Sequence, residues 1–170
     1  ITGLSNHPWF KTTELAASPK NAGKTYGEAV RDRWTIDLAS LSKECRAGLD
    51  GLENMVVRDV ADVNGISREV DLVFCAVEMP AKQVRKIEDE YAQREVVVVS
   101  ANSAHRWTSD VPMLIPEINA DHLQIIPVQR RRLGTKRGFV TVKPNCSIQP
   151  YVPALHALAD FKPLRVSVCT

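Results

Sequence analysis

The sequence predicts an α/β chain built on a doubly wound, mostly parallel sheet, and three observations carry that expectation. Short strand-forming runs alternate with helical stretches, the order that strand–helix–strand units require. One run, Val96-Val97-Val98-Val99, contains no polar residue, as expected of a strand covered on both faces in a parallel sheet. Polar segments stand directly after the strands, where such sheets hold their ligands.

In chain order, Leu4 to Phe10 reads as a helix end stopped by Asn6-His7-Pro8, and Lys11 to Ala17 as a strand leaving into the polar turn Ser18-Pro19-Lys20-Asn21-Ala22-Gly23-Lys24. Tyr26 to Asn54 is irregular, with a helix expected over Leu38 to Leu49. Met55 to Val60 is a short strand and Val70 to Ala76 a stronger one. Pro80 opens a helix whose Val84, Ile87 and Tyr91 share a face, leaving Lys82, Arg85, Lys86, Glu88, Asp89, Glu90 and Arg94 mostly outside. After the strand Val96 to Ser100, the chain is expected to run extended from Asp110 to Asn119 through two prolines. A helix over Ala120 to Arg132 comes next, capped by Asn119, with Leu123 and Ile126 inward. Phe139 to Val142 is the last strand. Pro144-Asn145 turns the chain, and Ile148 to Phe161 reads as a helix whose start is pushed toward Pro153, because Pro150 and Pro153 fit only a first turn.

With 170 residues, 44% hydrophobic, 25% charged and a formal net charge of +2, the chain has material for one core, or for one and part of another. Cys45, Cys75, Cys146 and Cys169 lie far apart without a C-x-x-C pair, which argues against a zinc site or disulfide framework and for reduced thiols in the cytoplasm. The longest apolar run is far too short to span a bilayer, and no charged-then-apolar leader opens the chain. Arg130-Arg131-Arg132 with Lys136 and Arg137 forms one basic cluster. Without interleaved aromatics it reads as the solvated cationic end of a helix rather than as a nucleic-acid surface. The absence of an initial methionine makes a piece of a longer protein the expectation.

Four polar segments, Ser18 to Lys24, Ala76 to Glu78, Ser100 to Arg106 and Pro144 to Ser147, are thus expected along one carboxyl rim. The last holds the strongest nucleophile. A cysteine between a strand and a helix start meets unpaired N–H groups and the positive helix end, which favour a thiolate. Cys146 is therefore a candidate nucleophile; the alternative is a small buried residue after a turn.

Three stretches carry a family resemblance: Ala16-Ala17-Ser18-Pro19-Lys20-Asn21-Ala22-Gly23-Lys24; Asp110-Val111-Pro112-Met113-Leu114-Ile115-Pro116-Glu117-Ile118-Asn119-Ala120-Asp121-His122-Leu123; and Lys143-Pro144-Asn145-Cys146-Ser147. In order and spacing they resemble the aspartate-semialdehyde dehydrogenases, the archaeal and fungal branch above all. The resemblance implies a Rossmann-like NADP-binding domain over residues 1–145 and the beginning of an α+β catalytic and dimerisation domain over 146–170. It also implies NADPH-dependent reductive dephosphorylation of L-4-aspartyl phosphate to L-aspartate 4-semialdehyde, on the route to lysine, threonine, methionine and isoleucine. Cys146 matches the nucleophile that takes the acyl group as a thioester, and Asn145 its motif partner, either positioning the acyl oxygen or only turning the chain. Arg106 matches the arginine that grips the acyl phosphate or free phosphate. Ser18, Lys20 and Asn21 match the turn that meets the ribose 2′-phosphate, and Ala76 and Val77 pass the cofactor through their backbone. The implied partners are these small molecules and, in the parent protein, a homodimer or homotetramer, with no metal, nucleic acid or membrane.

The departures are specific. Family members often carry Ser-Asn-Ala after the central strand and Tyr before the arginine. Here the chain reads Ser100-Ala101-Asn102 and His105, so no role is carried over to Asn102, and His105 reads as a packing or surface residue rather than a catalytic base. Cys75 reads as strand packing, and Cys45 and Cys169 have no motif. The family's first strand and glycine-rich loop match nothing here, nor do its base histidine and substrate-carboxylate arginine, so these 170 residues alone are expected to show no turnover. N-acetyl-glutamyl-phosphate reductase and malonyl-CoA reductase share the same cysteine and hydride logic. A nucleotide-binding or basic interaction module using Arg130 to Arg137 is the non-enzymatic alternative.

Overall fold

Every strand in the computed structural model, which describes residues 1–32 and 34–169, pairs in parallel. The strands form a two-stranded and a three-stranded sheet, and the chain divides into one unit over Ile1–Val70 and a second from Asp71 onward.

In the first unit, a 3-10 turn at Thr2–Leu4 precedes β1 (Ala16–Ala17). The expected strand from Lys11 contracts to these two residues, because only they face a partner. Next come α1 (Tyr26–Val30), a 3-10 turn at Leu38–Ser40, α2 (Lys43–Glu53), β2 (Arg58–Asp59) and α3 (Val63–Ile66). Helix α1 arises from a capping box, with the Glu28 N–H donating to Thr25 Oγ1 and the Thr25 N–H to Glu28 Oε2. The single helix expected over Leu38 to Leu49 is split, because Ser42 accepts the Cys45 N–H and starts a new helix there. Leu49, Leu52, Val57, Val60, Val63 and Ile66 are buried. Gly48 is required by close approach: a Cβ there would lie 1.9 Å from the Ser5 carbonyl oxygen.

The second unit comprises β3 (Leu72–Cys75), α4 (Ala81–Gln93), β4 (Val97–Ser100), α5 (Pro116–Asn119), α6 (Ile126–Leu133), β5 (Phe139–Val142) and α7 (Val152–Ala157). The sheet order is β3-β4-β5. Its register sets Cys75 beside Ser100 and Ser100 beside Val142, so all three carboxyl ends finish level. Val98, Val140 and Val142 are buried in this sheet and Val96 just before β4, and α4 adds Val84, Ile87, Tyr91 and Ala92. Each large apolar side chain buried this way contributes about 1.5–3 kcal/mol. Glu88, expected outside, is fully buried instead. It lies four residues after Val84 and three before Tyr91, on the apolar stripe itself.

Beyond β5, Pro112 to Leu114 and Gln129 replace a fourth strand. The Leu114 N–H donates to the Val142 carbonyl and the Val142 N–H to the Pro112 carbonyl. Gln129 donates from Nε2 to the Asp110 and Val140 carbonyls and accepts the Val140 N–H at Oε1. The helix expected over Ala120 to Arg132 is a 3-10 segment (Ala120–Ile125) before α6, because Pro127 fits only a helix's first turn. Asn119 does not cap it. Its side chain accepts the Ile115 N–H and donates to the Met113 carbonyl, closing the preceding turn, and Leu123 is exposed rather than inward. The basic cluster is largely engaged: Arg132 pairs with Asp110 and Asp89, Arg137 pairs with Asp71, and Arg130 lies over the Phe139 ring. Among the described residues, no helix is long and apolar enough to cross a membrane.

Candidate active site

The carboxyl ends of β3, β4 and β5 carry three of the expected polar segments. Their backbones are stitched together, with the Ala101 N–H donating to the Cys75 carbonyl (2.7 Å) and the Lys143 N–H to the Ser100 carbonyl (2.9 Å). Across this rim lies Arg106. Its Nε donates to the Lys143 carbonyl at 3.2 Å, and its Nη2 to the carbonyls of Ala101 and Pro144 at 3.4 Å. These carbonyls orient the guanidinium without neutralising it, and no carboxylate among the described residues pairs with it. A fixed, half-buried cation therefore stands beside the Pro144–Cys146 turn.

Cys146 is exposed and does not begin a helix. Helix α7 starts only at Val152, with Pro153 in its first turn, and Pro150 and Pro153 account for the delay. The expectation of a helix end next to Cys146 is thus corrected. The cysteine sits instead in a tight turn, in which Ile148 and Gln149 N–H groups donate to the Asn145 carbonyl. Asn145 Oδ1 accepts the Ser147 N–H at 2.8 Å and the Cys146 thiol at 3.6 Å, an Asx turn that fixes where the sulfur points. Asn145 Nδ2 donates to no described residue and is open to a ligand oxygen.

The fourth segment, Ser18 to Lys24, belongs to the first unit and leaves the carboxyl end of β1. Asn21 N–H donates to the Ser18 carbonyl and Gly23 N–H to the Val57 carbonyl, with Gly23 at φ 84, a left-handed position that favours glycine. The side chains of Ser18, Lys20 and Asn21 make no hydrogen bond or ion pair with described residues, and the turn contains no acid. Hydroxyl, ammonium and amide donors left open there fit a phosphate monoester on a ribose better than a free ribose hydroxyl. Ala76 and Val77 directly follow the last residue of β3, so their backbone stands on the rim of the other unit.

Several neighbours have structural duties. His105 is buried, with Nδ1 3.1 Å from Thr108 Oγ1 and Nε2 3.3 Å from the Arg85 carbonyl. Burial, with the Glu88 carboxylate adding to it, pushes the Cys75 thiol up to about 12, so it is no thiolate near neutral pH. Asn102 donates from Nδ2 toward the Cys75 carbonyl, the Cys75 sulfur and Glu88 Oε1. Sequence reasoning missed Glu88 at this rim. The available signal was its place on the Val84–Tyr91 stripe, where a charge requires a partner.

A family model described as semialdehyde dehydrogenase, NAD binding domain, matches residues 1–126. An aspartate-semialdehyde dehydrogenase of Archaeoglobus fulgidus is 37% identical over 160 residues, which are 94% of this chain and 42% of that protein. One from Methanothermobacter thermautotrophicus is 40% identical over 147 residues, 86% of this chain and 38% of that protein. A malonyl CoA reductase (NADP) of Metallosphaera sedula is 31% identical over 168 residues, covering 98% of this chain and 43% of that protein. The chain thus spans less than half the length of these relatives. The crystal structure of aspartate semialdehyde dehydrogenase with NADP from Candida albicans superposes with a TM-score of 0.69 at 28% identity, over 94% of this chain and 42% of that one.

Proposed function

The chain belongs to the semialdehyde dehydrogenase family, and on that premise we propose that its parent protein converts L-4-aspartyl phosphate to L-aspartate 4-semialdehyde with NADPH. The observation that carries this reading is an unneutralised Arg106 bonded to the carbonyls of Lys143 and Pro144, beside an exposed Cys146. Residues 1–145 act as the cofactor-binding part and residues 146–170 open the catalytic part.

Arg106 holds the phosphoryl oxygens of the acyl phosphate, bringing the acyl carbon to Cys146. The deprotonated Sγ attacks that carbon, a C–S bond forms, the C–O bond to phosphate breaks, and inorganic phosphate leaves with the bonding pair. Phosphate stays near the Arg106 cation, which stabilises the charge that accumulates as the bond breaks. Asn145 Nδ2 donates to the acyl oxygen, while its Oδ1 keeps the turn closed. NADPH, when bound, would supply the hydride that the acyl group held on Cys146 requires, and Cys146 would release the aldehyde as its C–S bond breaks and Sγ takes back the bonding pair. Ser18, Lys20 and Asn21 hold the ribose 2′-phosphate, and the Ala76–Val77 backbone borders the cofactor. The pathway role is amino-acid biosynthesis from aspartate.

The test is phosphate-dependent reduction of NADP by aspartate semialdehyde, the reverse reaction, in the full-length protein. Cys146→Ser is expected to lower turnover by about a thousandfold or more. Arg106→Lys is expected to raise the KM for phosphate by about 10–100-fold, the worth of a charge-assisted hydrogen bond. Wild-type turnover in Cys146→Ser would overturn the assignment. The malonyl CoA reductase relative favours a second reading, reduction of an acyl-CoA thioester. A rate that depends on coenzyme A rather than phosphate would select it.

A further inference from the structure

We propose that Glu88 is a positioning residue that sets the carboxyl rim of the three-stranded sheet, and with it the seats of Arg106 and of the Ala76–Val77 segment. The inference rests on the proposed function only for the identity of the ligands. Glu88 is 0% exposed and projects from α4 beneath the rim. Its Oε1 accepts the Ser100 hydroxyl at 2.5 Å and Asn102 Nδ2 at 3.3 Å, and the Asn102 N–H donates to Ser100 Oγ at 3.0 Å. The same Asn102 amide reaches the Cys75 carbonyl at 3.4 Å, so one carboxylate oxygen ties the last residues of β3 and β4 together. From there the links run outward: the Ser100 carbonyl accepts the Lys143 N–H, and the carbonyls of Ala101, Lys143 and Pro144 orient Arg106.

Packing alone does not account for an acid at this position. Glu88 Oε2 has no hydrogen-bond partner, and the nearest cationic candidate, His105 Nε2, is 4.0 Å away. A buried carboxylate with half its acceptor capacity unused costs stability that an aliphatic side chain on the same stripe would not. The return is a rim whose two loops keep a fixed separation, which ligand binding requires.

The experiment compares Glu88→Leu, Glu88→Gln and wild type in the full-length protein. Leucine fills the space but removes both acceptors; glutamine retains Oε1. Expected for Glu88→Leu are a lowered melting temperature, because the Ser100 hydroxyl and the Asn102 amide lose their acceptor, together with amide exchange at Ala101 and Asn102 about tenfold or more faster and a KM for phosphate raised about tenfold. Glu88→Gln should restore both exchange and KM. Wild-type exchange and KM in Glu88→Leu would overturn the proposal, as would a lowered melting temperature with both unchanged. Should Glu88→Leu fail to fold, Ser100→Ala carries the same predictions. The exchange readout holds whatever the substrate. Fast exchange in the variant, alongside a wild-type protein inert toward aspartate semialdehyde, would sink the functional reading and keep the positioning role.

Discussion

Cys75 and Cys146 sit at the same carboxyl rim, at opposite ends of the β3-β4-β5 order, with opposite chemical standing. Burial raises the Cys75 thiol to about 12, with Glu88 adding to the rise, whereas Cys146 is exposed at a turn. Alkylation of the folded protein near neutral pH is therefore expected to label Cys146 and leave Cys75 unmodified, read by peptide mass spectrometry. Labelling of Cys75 at a comparable rate would show that the rim opens. Cys146 was legible because a strand, a Pro-Asn turn and a thiol adjoin in sequence. Glu88 and Gln129 were not, although both fall on the buried faces of their helices, because a polar residue counts as outward until its partner is known. Those partners are distant in sequence: Ser100 for one, Val140 and Asp110 for the other. Gln129→Ala would strand the Val140 N–H and two carbonyls, and is expected to cost about 2–4 kcal/mol in denaturant titrations. A loss below about half a kcal/mol would mean that water replaces the amide.

Strands β3, β4 and β5 were legible from runs of apolar, largely β-branched or aromatic residues, within a residue or two of their observed ends. Helix boundaries were not, because single side chains decide them. Ser42 restarts a helix, Pro127 delays α6, and Pro150 with Pro153 moves the last helix away from Cys146. The junction between α4 and β4 shows how an element's end can serve another element. Glu95 occupies a left-handed position (φ 66) where glycine would be relaxed, and its carboxylate accepts the N–H groups of Lys136, Arg137 and Gly138. That latch delivers the chain into β5 so closely that a Cβ on Gly138 would lie 1.9 Å from the Ala92 carbonyl oxygen. Backbone on both sides leaves nothing to give way. Gly138→Ala is expected to destabilise the protein by about 2 kcal/mol or more, seen as a lower denaturation midpoint with an unchanged slope. An unaltered midpoint would mean that the α4–β5 approach is loose.

Across the whole chain, one expectation met only part of its target: of four polar segments sought on one rim, three share the β3-β4-β5 sheet, and Ser18 to Lys24 lies in the unit before Asp71. Strand pattern can place a segment after a strand, but which strands join one sheet depends on pairings distant in sequence. Both units nevertheless share one electrostatic habit. Glu28 and Glu44 are held below the usual carboxylate range by nearby backbone N–H and hydroxyl donors, Asp62 by Arg58 and then the Gly65 N–H, and Glu95 is lowered to about 2 by its three N–H donors. Each is more acidic folded than unfolded. Its stabilising contribution is therefore complete above the unfolded value, 4.5 for glutamate, and disappears as pH falls through the folded one. Denaturant midpoints should accordingly hold steady from neutral pH to about 5 and then decline toward about pH 2. Glu95→Gln isolates the largest of these shifts: it should be less stable than wild type at neutral pH, decline less steeply below pH 4.5, and match wild type near pH 2. A constant gap between the two proteins across that window would mean that the latch holds through its geometry and not through its charge.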